Sequence, residues 1–238
     1  MPRKKQTRGD CAYCGKEMTR GGLARHLKTC AERQKAIAAA DAGKEGLHQN
    51  VYHLQVQDVW GSDFWLHLEM NGDATLQDLD YYLRAIWLEC CGHLSSFEIG
   101  PITYTQLFDD GFGGWREEKD MDVKVRGLFT PGMSIPYEYD FGTTSELVIK
   151  VVDERKGKPT TAHPIALMAR NSFMPPTCSE CDQPAAWVCV ECMWDDDRSH
   201  LFCEEHADEH EHDEMLLSIV NSPRVGMCGY DGPAEPPY

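Results

Sequence analysis

No stretch of this chain holds 18 consecutive apolar residues, so no helix is expected to span a membrane. Nothing apolar follows the opening Met-Pro-Arg-Lys-Lys, so we expect no secretory leader and a cytoplasmic location. In such a compartment paired cysteines point to metal or catalysis rather than to disulfides. No internal repeat is visible, and 238 residues suffice for one mid-sized core with small satellites. Basic residues are scarce, with 23 Lys and Arg against 39 Asp and Glu, and they are unevenly placed. Residues 1–35 hold ten of them against three acids, whereas residues 178–215 hold one Arg against 13 acids. The acidic part repels nucleic acid and favours basic partners, while the first 35 residues could do the opposite. The glycine-rich run Asp109–Gly114 lacks the Lys-Ser/Thr that a phosphate loop requires.

Cysteine is plentiful, and its spacing is the strongest signal. Nine of the eleven cysteines fall in two clusters. The first reads Cys11-x2-Cys14-x11-His26-x3-Cys30. A tight turn aims the first two thiols at one ion, and His26 and Cys30, four apart, share a helix face and close a tetrahedron. Met18 and Leu23 stand where such a finger keeps its small core. A segment this short buries too little apolar surface to fold alone, so the metal supplies the folding free energy. The second cluster reads Cys178-x2-Cys181, Cys189-x2-Cys192 and Cys203-x2-His206, followed by His210, His212 and Cys228. We expect two ions here. The preferred pairing is cross-braced, as in RING and B-box modules. Cys178, Cys181, Cys203 and His206 then hold one ion, and Cys189, Cys192, His212 and Cys228 the other. His210 can replace His212, and a sequential pairing of Cys178, Cys181, Cys189 and Cys192 is also allowed. Every ligand is a protein side chain, so three closed, structural zinc sites per chain are expected. His200 is left over. Cys90, Cys91 and His93 lie at a helix end and read as buried, inert thiols.

Between the clusters the patterning gives four segments: a finger (1–35), a helical extension and linker (36–49), a main core (50–172) and an acidic zinc-binding tail (173–238). In the core, Tyr52, Leu54 and Val56 alternate with polar neighbours, as do Phe64, Leu66 and Leu68, predicting two half-buried strands. A helix starts at Thr75, with Asp78 completing a capping box and Leu76, Leu79, Leu83 and Ile86 forming its apolar stripe. Further strands are expected around Phe97–Ile99, Ile102–Tyr104, Ile135–Phe141 and Leu147–Val151, with Gly142–Ser145 as a hairpin turn. The order predicts an α+β fold, an antiparallel or mixed sheet with helices on one face, flanked by two small zinc-binding modules.

Trp65, Leu76-x-x-Leu79, His93-Leu94-x-x-Phe97-x-Ile99 and above all Tyr137-Glu138-Tyr139-Asp140-Phe141-Gly142 carry a resemblance. Over about residues 51–155 the chain resembles the pRiA plasmid ORF-three-like family, grouped with TnpR-like passengers of insertion elements. The segment Asn221–Tyr230 resembles a cysteine-rich extension that some members carry. The chain departs from the family at Leu66 and at Thr143–Ser145. The resemblance implies the fold and an association with mobile elements, and no settled activity.

These readings predict a non-enzymatic interaction or adaptor protein that takes a protein partner. The alternative is a nucleic-acid accessory protein using the basic finger, whose Arg20, Arg25 and Lys28 suit weak phosphate contacts. A third possibility is a metal-dependent hydrolase built on Glu138 and Asp140, read as neighbours on one strand face.

Overall fold

Among the described residues, ten strands between Arg8 and Asn171 form one sheet. The computed structural model describes residues 6–43, 46–106, 117–195 and 198–238, and its contacts group residues 1–82, 94–172 and 238 into one unit and residues 83–93 and 173–237 into another. The expected loop Asp109–Gly114 lies outside the described residues. In chain order the first unit contains β1 (Arg8–Cys11), β2 (Glu17–Thr19), α1 (Arg20–Thr29), α2 (Ala31–Ala42), β3 (Gln49–Asp58), β4 (Trp65–Asn71), α3 (Leu76–Leu83), β5 (Ser95–Ile99), β6 (Ile102–Thr105), β7 (Glu117–Asp120), β8 (Ser134–Tyr139), β9 (Ser145–Gly157) and β10 (Ile165–Asn171). The sheet order is β2-β1-β10-β4-β3-β9-β8-β5-β6-β7, antiparallel throughout except for the parallel pair β6–β7. The sheet is therefore mixed, and strand outweighs helix.

The predicted strands and the capped helix are present. At the start of α3 the Thr75 amide donates to Asp78 Oδ2 at 2.7 Å, and the Asp78 amide donates to Thr75 Oγ1 at 3.1 Å. The half-buried alternation is not what β4 shows, however. All residues from Trp65 to Met70 are buried, so both faces of the central sheet are covered. Leu66 and Leu68 share their face with Leu54, Ile149 and, through the β8–β9 register, Tyr137. The Tyr137 hydroxyl donates to Asp80 of α3 at 2.7 Å, which places α3 on that face. Trp65, His67 and Glu69 point the other way, toward α1 and α2. The expectation of helices on one face only is thus corrected: the N-terminal segment packs on the opposite face from α3.

That packing is polar as well as apolar. Trp65 and Met168 join Leu23, Leu27, Cys11 and Cys30 in one cluster. Strand β1 pairs with β10, extending the main sheet, with Gly9 opposite Asn171. A Cβ on Gly9 would lie 1.9 Å from the Arg170 carbonyl oxygen and 2.7 Å from the Trp65 ring, so only glycine fits there. Arg33 of α2 and Arg155 of β9 each donate to a different carboxylate oxygen of the buried Glu69, both at 2.9 Å. His53 and His67 form a buried chain. The Arg20 carbonyl can only accept, so His67 donates to it from Nε2 (3.1 Å) and accepts at Nδ1 from His53 Nε2 (2.9 Å). His53 Nδ1 has no hydrogen-bond partner. Burial lowers His53 to about 2 and His67 to about 4, so both stay neutral.

The strand expected over Ile135–Phe141 ends at Tyr139. Asp140 turns off it with φ 65°, and its Oδ1 accepts the Gly142 amide at 3.0 Å. Phe141 is left 54% exposed.

In the second unit the chain passes from α3 into a π turn, Arg84–Leu88, and later forms β11 (Trp187–Cys189), β12 (Leu201–Phe202), α4 (Glu204–Asp208) and β13 (Leu216–Ser218). These strands make a small antiparallel sheet in the order β12-β11-β13.

Two outcomes follow for the first unit. Glu69→Ala leaves two guanidinium groups without their carboxylate and should cost about 3–5 kcal/mol, read as a lowered urea midpoint. The histidine pair makes stability pH-dependent. The unfolded chain takes up protons below the ordinary histidine value of 6.5, whereas the folded chain does not until about pH 4 and below. Stability should therefore fall as pH drops from 6.5 toward 4. His53→Phe should make that slope shallower by about 1.4 kcal/mol per pH unit. Equal slopes in wild type and variant would refute the neutral pair.

Candidate metal centres

Four sets of side chains are brought together so that each set's ligand atoms all lie within 4.8 Å of one another, close enough to hold a metal ion. A Zn–S bond of ~2.3 Å puts two thiolates of a tetrahedral site ~3.8 Å apart. A disulfide would need ~2.05 Å, and all eleven cysteines are free.

The first set is Cys11, Cys14, His26 and Cys30. Residues 11–16 form a knuckle in which the Gly15 amide donates to the Cys11 carbonyl at 2.8 Å and the Cys11 amide to the Lys16 carbonyl at 3.1 Å. Gly15 adopts φ 68°, which suits glycine. Thr19 caps α1, which presents His26, and Cys30 stands between α1 and α2. The Cys11 and Cys30 sulfurs are 3.9 Å apart, and Cys14 Sγ is 3.2 Å from His26 Nε2. Burial pushes the Cys11 thiol up to about 11. Burial also opposes ionisation of Cys30, but the Arg33 amide leads a group of hydrogen bonds that leaves it lowered. Leu23 is fully buried beside these thiols and Met18 packs against the same cluster.

The second set is Cys178, Cys181, Cys203 and His206. Cys203 starts α4, which carries His206. Cys181 and Cys203 sulfurs are 3.9 Å apart, and His206 Nδ1 lies 3.5 Å from Cys178 and 3.3 Å from Cys203. Burial opposes ionisation of Cys178, yet backbone amides led by Glu180 bring it down to about 6. The neighbouring sulfurs, Cys203 first, raise His206.

The third set is Cys189, Cys192, His210 and His212. Cys192 Sγ is 3.6 Å from His210 Nε2 and 3.3 Å from His212 Nδ1, and Cys189 Sγ is 3.9 Å from His212 Nδ1. Cys189 and Cys192 pack with Phe202 and Ala207. Along the chain the second and third sets interleave: 178/181, 189/192, 203/206, 210/212. The side chains thus converge in the cross-braced order and not the sequential one.

Cys228 does not join Cys189, Cys192 and His212. Its place is taken by His210, so both histidines face the same pair of thiols. Cys228 instead meets Cys90, Cys91 and His93 in a fourth set. Those three were expected to be inert and buried, but Cys91 is exposed and Cys90 half-buried. The third set already brings together two thiols and two imidazoles, which leaves Cys228 over as a candidate ligand, and the run Cys-Cys-x-His was the other trace of the fourth set in the sequence. His200 joins no set among the described residues, and neither do Glu138 and Asp140. Asp140 has left the strand, so the two acids are not the paired strand-face carboxylates that the hydrolase reading needs.

The family described as "Plasmid pRiA4b ORF-3-like protein" matches residues 50–219. The chain belongs to this family. The match takes in the whole of the second and third sets, while the N-terminal set and Cys228 lie outside it. No curated protein gives a significant match. A solved structure, a protein of unknown function, MM3350, from Methanosarcina mazei Go1, is similar at 19% identity with a TM-score of 0.41, over 50% of this chain and 67% of that one. No helix is long and apolar enough to cross a membrane among the described residues.

If His210 and His212 both bind the third ion, His210→Ala and His212→Ala should each lower bound metal by about one equivalent under mild chelation, and His200→Ala should leave it unchanged. Indifference to His210→Ala would return that histidine to solvent.

Proposed function

We propose that this protein is a zinc-stabilised, non-enzymatic interaction protein associated with mobile genetic elements. In this reading its acidic second unit receives a basic protein partner in a cytoplasmic setting. One observation carries the proposal: the N-terminal and two interleaved Cys/His sets each offer four protein ligands at tetrahedral spacing. Such sites are closed and structural, leaving no position for a substrate. The family's plasmid-derived description supports the association with mobile elements.

The acidic unit suits a cationic partner. A groove of about 660 Å³ beside α4 is lined by Phe173, Pro184, Ala186, Ile219, Glu204 and Glu205. Phe173 is exposed there, so the groove combines apolar wall with carboxylate rim. The finger is less suited to nucleic acid than its charge count suggests. Arg8 pairs with Glu17, Lys28 with Asp153, Arg33 with Glu69 and Lys35 with Glu32. Arg33 is buried with its carboxylate and offers nothing to a phosphate, while the three exposed pairs would each exchange a carboxylate for a phosphate contact.

Affinity capture from the native host with the full chain tests this reading. A basic protein should be recovered at low salt and lost with Glu205→Lys, while Arg25→Glu leaves capture intact. Recovery that depends on Arg25 and disappears on nuclease treatment would favour the nucleic-acid reading instead. Metal analysis should give at least three zinc ions per chain, and one ion or fewer would remove the structural sites.

A further inference from the structure

We propose that Cys90, Cys91, His93 and Cys228 form a fourth, solvent-exchangeable zinc site that clasps the segment around Cys228 onto the segment after the π turn. Cys91 Sγ lies 3.8 Å from Cys90 Sγ, 3.8 Å from Cys228 Sγ and 3.0 Å from His93 Nε2, and His93 Nε2 lies 3.3 Å from Cys228 Sγ. These four distances are edges of a tetrahedron around a zinc-sized ion, and the remaining two ligand–ligand distances are below 4.8 Å. Three thiolates and an imidazole are soft donors, which select zinc over calcium or magnesium.

The surroundings are arranged for that charge. Three thiolates around one divalent ion leave a net charge of −1. The fully buried Arg224 donates from Nη2 to Cys90 Sγ at 3.4 Å and offsets it. Arg224 is itself held by its amide, which donates to Ser222 Oγ at 2.9 Å, while Ser222 Oγ donates to the Trp87 carbonyl at 2.6 Å. Cys228 adopts φ 50°, between Gly226 at 81° and Gly229 at 70°. A non-glycine residue seldom holds that backbone conformation unless its surroundings fix it, and a metal bond would do so. The opposing segment is shaped too: the Glu89 carboxylate accepts the Gly92 amide at 2.6 Å, turning Cys90, Cys91 and His93 toward one point.

Exposure separates this site from the others. Each of the other three sets contains at least two buried cysteines, whereas this one contains none, and Cys91 and Cys228 are both exposed. A chelator or an acceptor protein can approach its ligands directly and displace them one at a time. Exchange here should be fast, with the buried sites unaffected.

The experiment compares the full-length reduced protein with Cys91→Ser, Cys228→Ser and the double variant. Each of the three variants should bind one zinc ion fewer than wild type, because both thiols serve the same ion. A colorimetric zinc chelator should withdraw one equivalent from wild type in a fast phase that all three variants lack. The comparison is a difference of one ion, so it does not depend on how many ions the other sets hold. Unchanged zinc content in both single variants, a loss of two ions in the double variant, or a single kinetic phase shared by all four proteins would each overturn the proposal. A Cys189→Ser control separates the alternatives for Cys228. If Cys228 served the third site, Cys189→Ser and Cys228→Ser together would lose one ion; on this proposal they lose two.

Discussion

Thiol sulfurs held 3.8–3.9 Å apart are a constraint that the rest of the molecule has to satisfy. Two thiolates at that distance repel, and two protonated thiols there gain only weak hydrogen bonds. A divalent cation resolves the conflict, because it favours the deprotonated form of every ligand at once. The need is greatest in the second unit. Its sheet has strands of two or three residues, and one apolar cluster contains Cys189 and Cys192 themselves. The candidate ligands Cys189 and Cys192 are therefore part of the small core of this unit.

The N-terminal finger answers the same constraint differently. Its thiols rest on Trp65 and Met168, and its hairpin continues the main sheet through Gly9 and β10. Its cations are drawn inward or sideways to Glu69, Asp153 and Glu17. Through these pairs and the β1–β10 ladder the N-terminal segment is built into the sheet as a structural extension of it.

Much of this was legible in the sequence. The two-residue gaps between ligands, the capping box at Thr75 and the alternation of β3, β8 and β9 depend only on local geometry, and each led to the right element. What remained hidden was long-range. The β10 strand, Ile165–Asn171, carries Met168, Ala169 and Asn171 buried, but no clean alternation of the kind that marked the others. His53, His67 and Glu69 looked like the solvent side of a half-buried sheet. They are buried because α1 and α2 bring Arg33 and the Arg20 carbonyl to meet them, an arrangement set by residues more than thirty positions away. Cys228 failed for a similar reason: spacing cannot show that a thiol reaches back more than 130 residues to Cys91, because loop closure over such lengths costs only slightly more than over short ones.

The motif by which the chain resembles its family can be assigned a physical role. Tyr137 donates to Asp80 at 2.7 Å, and Ser95 donates to the same carboxylate oxygen at 2.6 Å, so one buried acid ties α3 to β8 and β5. Tyr139 is fully buried one pleat further on, and Asp140 then turns the chain with its own carboxylate closing the loop onto Gly142. Each residue from Tyr137 to Gly142 except Glu138 and Phe141 is engaged in framework. In this fold the string of aromatic and acidic residues is a joint between helix and sheet. The two positions left over differ: Glu138 is partnered, while Phe141 is a large apolar side chain turned to solvent at the tip of the β8–β9 turn. Substituting Phe141 should therefore leave stability within about 0.5 kcal/mol, as at other surface positions, whereas Tyr137→Phe removes a donor from buried Asp80 and should cost about 1–3 kcal/mol.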